Sequence, residues 1–286
     1  SVIALGGIAL LYCRITKRPF KKVMVIKKIP MYQVFLTMLV AVGTYIFAIG
    51  VNSVSMKLFP IAIKDGMAIS NLLSSSSILL GLIVVVLLPA FFEEVFFRGI
   101  FLDAYDGVNK KVKYFIIILI FATFHGNVMQ IIYVLFLGFI LLMVREYTGS
   151  LLGSMTLHAT NNAISFIISK VAMNYMNVVN AGAKNGVIDP VQSAATTDAM
   201  NASFTVILLR ASIFFLIGGA ILFTNLRKLK EYKEAKDNSK VSENEEFIEI
   251  GKYIVGDEKV ADKKQYIPLF IYFVAITVLV VLRYSS

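Results

Sequence analysis

Residues Leu87–Phe101, LLPAFFEEVFFRGIF, decide how this chain folds. The apolar run that they belong to has the length and composition of a membrane-spanning helix. Glu93, Glu94 and Arg98 are nevertheless set into its inner end. An ionisable group at bilayer depth costs at least about 2.5 kcal/mol on insertion scales, and it is retained where it faces a bundle interior and has a task there. The only two histidines, His125 and His158, also lie in apolar segments. These five titratable groups read as one polar site inside a membrane bundle.

Composition agrees with that reading. Of the 286 residues 58% are hydrophobic and 16% charged, with a mean hydropathy of +0.77, well beyond an ordinary soluble domain. The single cysteine, Cys13, permits neither an intramolecular disulfide nor a thiolate zinc cluster. The formal charge of +10 does not point to nucleic acid, because the basic residues gather where they flank apolar segments. No cleavable signal peptide is visible, and the 13 residues before Arg14 read as a short or incomplete first span.

The pattern predicts an all-α, polytopic membrane helix bundle of about eight transmembrane helices. The expected spans are residues 1–13, 31–51, 78–102, 113–124, 128–144, 150–172, 203–223 and 267–282. Three regions follow: N-terminal helices with a basic loop (1–77), a core bearing the polar site (78–172), and C-terminal helices (173–286) with a charged loop at 225–266. Within that loop the stretch 231–258 mixes both signs with few aromatics and is expected to be poorly ordered. Each crossing switches sides, so the loops 14–28, 103–111, 145–149 and 225–266 share one face. They carry 7, 2, 1 and 10 Lys and Arg residues, whereas the opposite loops 52–77 and 173–202 carry 3 in total. By the excess of positive charge on cytoplasmic loops, the basic face is cytoplasmic.

At about 1.5 Å per helical residue, Glu93, His125 and His158 fall roughly 12 to 18 Å from the cytoplasmic ends of their segments. They can share one cavity, expected to open towards the cytoplasm. Glu94 and Arg98 are spaced i, i+4 with the acid first, so they can neutralise each other, whereas Glu93 has no local partner. His158 and Asn162 share a second helix face; Asn161 lies on another and reads as a helix-packing hydrogen bonder. Two chemistries remain open. Glu93, His125 and His158 form a two-His, one-carboxylate set of the kind that holds zinc with an open water position. Without a metal, Glu93 and one histidine would activate water as a general base. Either way Asn162 is suited to donate to a developing oxyanion, and the reaction is hydrolysis of a carbonyl bond.

Taken together, Glu93-Glu94-x-x-x-Arg98, Phe121-x-x-x-His125 and His158-x-x-x-Asn162 resemble, in order, the three motifs of the CAAX protease and bacteriocin-processing family of intramembrane endopeptidases. The resemblance covers about residues 78–172. It implies a protease acting on a membrane-associated peptide or protein, with Glu93 and His125 activating water and His158 and Asn162 at the oxyanion. It also implies a metal, Zn(2+), in one of the two mechanisms discussed for the family. The Lys- and Ile-rich, Trp-free composition looks like that of a low-GC bacterium, so a multi-pass protein of a bacterial cell membrane is expected, and a prenylated substrate is not carried over. A non-proteolytic membrane regulator or bacteriocin-immunity protein is the alternative, and a transporter ranks third because no repeat pairs two broken helices.

Overall fold

The structure is a computed structural model that describes residues 2–59, 77–126, 128–184 and 202–245. Within them all regular structure is helical, in the order α1 (Val2–Thr16), α2 (Phe20–Met24), α3 (Met31–Leu58), α4 (Ile78–Ala104), α5 (Lys110–Phe124), α6 (Val128–Thr148), α7 (Leu151–Lys184) and α8 (Phe204–Glu245). Four of these contain a stretch long and apolar enough to cross a membrane: Met31–Leu58, Ile78–Ala104, Gln130–Thr148 and Phe204–Ser239. Seven of the eight expected spans fall on helices; the eighth, 267–282, lies outside the described residues. α7 is long but less apolar, because Ser154, Thr156, His158, Asn161, Asn162 and Ser165 interrupt it. The outward faces are greasy: Leu79 is 72% exposed and Leu216 73%, as suits helices solvated by lipid tails.

Local sequence sets the boundaries. Pro30 stands before α3 in an extended conformation that starts a helix and cannot continue one backwards. Gly126, at φ +60°, takes the chain out of α5 immediately after His125 in a left-handed conformation that a side chain disfavours. α4 departs from regular α geometry. It has π-type, i to i+5 bonding over Leu82–Leu87 and Val95–Ile100, with an α segment, Leu88–Glu94, between them. Such insertions turn the faces of a helix relative to one another and recur at functional sites.

α3 runs along α8 and also packs on α6 and α7, while α4 packs between α1 and α7. The α3–α8 approach is close enough that a Cβ on Gly218 would sit 2.5 Å from the Phe47 amide nitrogen, the small-residue contact that lets membrane helices pack. Leu36, Phe97, Ile117, Phe121, Leu141 and Leu157 are buried together between these helices. The basic loop after α1 is tied down as well. Its Lys27 amide donates to Ser150 Oγ at 3.0 Å, and Val25 holds a left-handed backbone, φ 48°, that lets its carbonyl accept from Leu151.

Candidate active site

One turn of α4 separates Glu94 from Arg98, and both are completely buried. Arg98 Nη1 donates to Glu94 Oε1 at 2.9 Å and Nη2 to the Gly138 carbonyl of α6 at 3.3 Å. The guanidinium lies over the ring of Phe121, 4.1 Å from its centroid, so an aromatic face completes its surroundings. α7 adds His158, whose Nδ1 is 2.9 Å from the same Glu94 oxygen. An ionised carboxylate only accepts, so the Nδ1 proton is donated to Glu94. That fixes the ring and turns Nε2 towards Glu93, whose Oε2 is 4.0 Å away.

His125 follows the last residue of α5 and is held differently. Its Nδ1 is 2.9 Å from the Phe121 carbonyl. A carbonyl oxygen also only accepts, so Nδ1 carries the proton and Nε2 keeps a lone pair. The Phe121 ring stands edge-on to both imidazoles, with centroids 5.0 Å from His125 and 6.0 Å from His158. Phe121 thus seats one histidine through its carbonyl and separates both from Arg98 with its ring.

Glu93, His125, His158, Asn161 and Asn162 all line one cavity of about 370 Å³, and Glu94 and Arg98 do not. The partition expected from helical spacing is what the geometry displays: a closed ion pair behind, and Glu93 in front. Glu93 Oε2 is buried and has no hydrogen-bond partner among the described residues. The Asn162 amide donates to the Val85 carbonyl at 3.3 Å. Val85 lies in the π-type stretch of α4, one turn before Pro89, which has no N–H to offer a carbonyl of that turn.

One expectation is extended here. Asn161 does bond across helices, to the Tyr133 hydroxyl of α6, yet it also lines the cavity and belongs to the site. The cavity extends past Glu93 and His158 among the described residues. Its lining runs to Asn52, Gln130 and Ser165, which lie beyond those two from the basic loops. Tyr45, Asn52, Gln130, Tyr133 and Ser165 were missed in the sequence; the available signal was a polar side chain in an apolar helix, which the search for charge passed over. Arg210 is exposed on α8 and does not line the cavity.

A metal was tested against these positions. Among the described residues no group of three or more His, Cys, Asp or Glu side chains is placed to hold an ion. Two ligands on one tetrahedral zinc stand about 3.3 Å apart. Glu93 Oε2 and His158 Nε2 come to 4.0 Å, wider than that span, although both Nδ1 atoms are bonded in the way that orients a metal-ligating imidazole and leave both Nε2 atoms free. The three-ligand set does not fit as arranged, and no step below is routed through a metal.

A buried carboxylate thus faces a polar cavity between membrane helices beside two imidazoles oriented by acceptors, and all three belong to the motifs read in the sequence. The family model described as Type II CAAX prenyl endopeptidase Rce1-like matches residues 75–164. This segment, which holds Glu93, Glu94, Arg98, His125, His158 and Asn162, is similar to the type II CAAX prenyl endopeptidases that the family model describes. Comparison with curated proteins and with solved structures yields no match.

Proposed function

We propose that the chain is a multi-pass intramembrane endopeptidase that hydrolyses a peptide bond of a membrane-associated peptide or protein, with Glu93 as the base that activates water. The observation that carries this is the placement of Glu93: it is buried, it lines the cavity, and its Oε2 has no hydrogen-bond partner among the described residues, while its neighbour Glu94 does not line the cavity and is turned to Arg98 and His158 through Oε1. A general base must reach the water it deprotonates, and only Glu93 of the two carboxylates can. Glu93 takes the proton as the water oxygen attacks the scissile carbonyl. His158 Nε2, 4.0 Å from Glu93, lies beside the developing charge, and the remaining N–H of the Asn162 amide is available to the oxyanion. The proton that Glu93 takes from water passes to the leaving amine, with the His125 Nε2 lone pair as the relay, and Glu93 is again a carboxylate.

In membranes expressing the full chain, Glu93→Gln is expected to lower peptide release by at least about 10²-fold, the usual worth of a positioned acid–base group. His125→Ala is expected to act in the same direction, with both proteins inserted and folded. The measurement is mass spectrometry of peptides released by wild-type and variant membranes. Identical release from all three would refute catalysis and favour the reading as a non-proteolytic regulator or immunity protein.

A further inference from the structure

Four contacts gather one face of the molecule. Arg18 Nη1 meets Asp103 Oδ1 at 2.7 Å, the Lys27 amide donates to Ser150 Oγ at 3.0 Å, Lys110 pairs with Glu146, and the Tyr32 ring centroid lies 5.8 Å from that of Tyr232. The beginnings of α3, α5 and α7 therefore lie beside the ends of α4 and α6 and the basic half of α8. This is the face that collects the lysines and arginines, and the charge asymmetry makes it cytoplasmic.

The cavity extends away from it. Along α3 the lining starts at Tyr45 and ends at Asn52, about 21 to 32 Å from the Met31 end by the helical rise. On α4, Pro89 lies one turn beyond Glu93 from the Asp103 end; on α7, Ser165 lies two turns beyond His158 from the Ser150 end. Gln130 is in the first turn of α6, at the opposite end from Glu146. Towards the basic face the way is filled: Arg98, Phe97, Phe121, Leu141 and Leu157 are all 0% exposed. The lining chemistry is also one-sided. Among the described residues, and apart from Glu93 and the two histidines, its polar groups are amides and hydroxyls, the groups that pair with an extended peptide backbone.

We propose that the site is served from the extracytoplasmic face, and that the substrate is an extended, uncharged peptide segment presented on that side rather than a cytoplasmic tail. What is bound rests on the proteolytic reading; the side of access does not. With the single buried Cys13 replaced by alanine, one cysteine is introduced at a time at Asn52, Gln130, Ser165 or Lys22, and intact cells are treated with a membrane-impermeant maleimide. Asn52→Cys and Gln130→Cys are expected to label at least about tenfold faster in intact cells than Lys22→Cys, which should react only after permeabilisation. Ser165→Cys serves as a second cavity probe should either of the first two fail to insert. Cavity cysteines that react only after permeabilisation, or with no reagent from either side, overturn the proposal. Repeating the labelling in Glu93→Gln separates the two ideas, because loss of catalysis leaves access unchanged.

Discussion

Glu94 accepts from Arg98 and from His158 through a single oxygen, Oε1, so one carboxylate both neutralises a buried cation and orients an imidazole. Removing one partner from a buried pair leaves the other charge stranded, at a cost of about 3 to 5 kcal/mol. Arg98→Met and Glu94→Gln should therefore each destabilise strongly, whereas the double variant should lose less than either single, as followed by denaturant unfolding in detergent. Equal, additive losses would mean that the pair does not act as a unit. The i, i+4 half of this arrangement was legible in the sequence, as was the release of Glu93 from it. That His158 answers to Glu94 through Nδ1 and faces Glu93 only through Nε2 was not, because which ring nitrogen meets which oxygen depends on a contact between helices. The depth argument correctly brought Glu93 and the two histidines to one cavity; it could not rank their distances.

α4 shows what a regular helical period conceals. Counting at 3.6 residues per turn treats Ile78–Ala104 as one uniform rod, but two π-type segments bracket the stretch that carries both glutamates. Pro89 contributes from inside this helix. With no N–H it leaves a gap in the bonding of its turn, and in that turn Asn162 of α7 donates to the Val85 carbonyl, so an irregularity of one helix anchors a side chain of another. Replacing Pro89 by alanine restores an N–H to that turn, in competition with Asn162. Alanine is favoured over proline in a helix interior by about 3 kcal/mol, so Pro89→Ala should leave thermal stability unchanged or raised. Cleavage should nevertheless fall by roughly tenfold, since a misplaced oxyanion donor costs rate rather than fold. A variant that is less stable but fully active would show that Pro89 serves packing and not Asn162. The polar interruptions of α7 belong to the same lesson: they keep a long helix below the hydropathy of a spanning segment while supplying the cavity wall.

At the scale of the whole molecule, composition and charge asymmetry led to an all-helical membrane bundle with a basic face, and the cross-loop contacts gather the same residues on one side. Which way the cavity runs was not legible, because depth measured from one membrane face says how far in a residue lies and not on which side of it space remains. The assembly also bears on the metal. The cavity is lined from α3, α4, α6 and α7 together with His125, and its two imidazoles are held by Glu94 and by the Phe121 carbonyl, so packing and hydrogen bonds place its side chains. A site tied by an ion behaves otherwise: a metal bound at 100 times its Kd stabilises the folded state by about 2.7 kcal/mol, and a chelator removes that stabilisation. The purified full chain should therefore keep the same Tm with and without EDTA, release peptide at the same rate in both, and contain well under one equivalent of zinc by elemental analysis. A Tm lowered by EDTA and restored by added zinc, with cleavage following it, would mean that Glu93, His125 and His158 close around an ion after all, and that water is activated on the metal rather than by the free carboxylate.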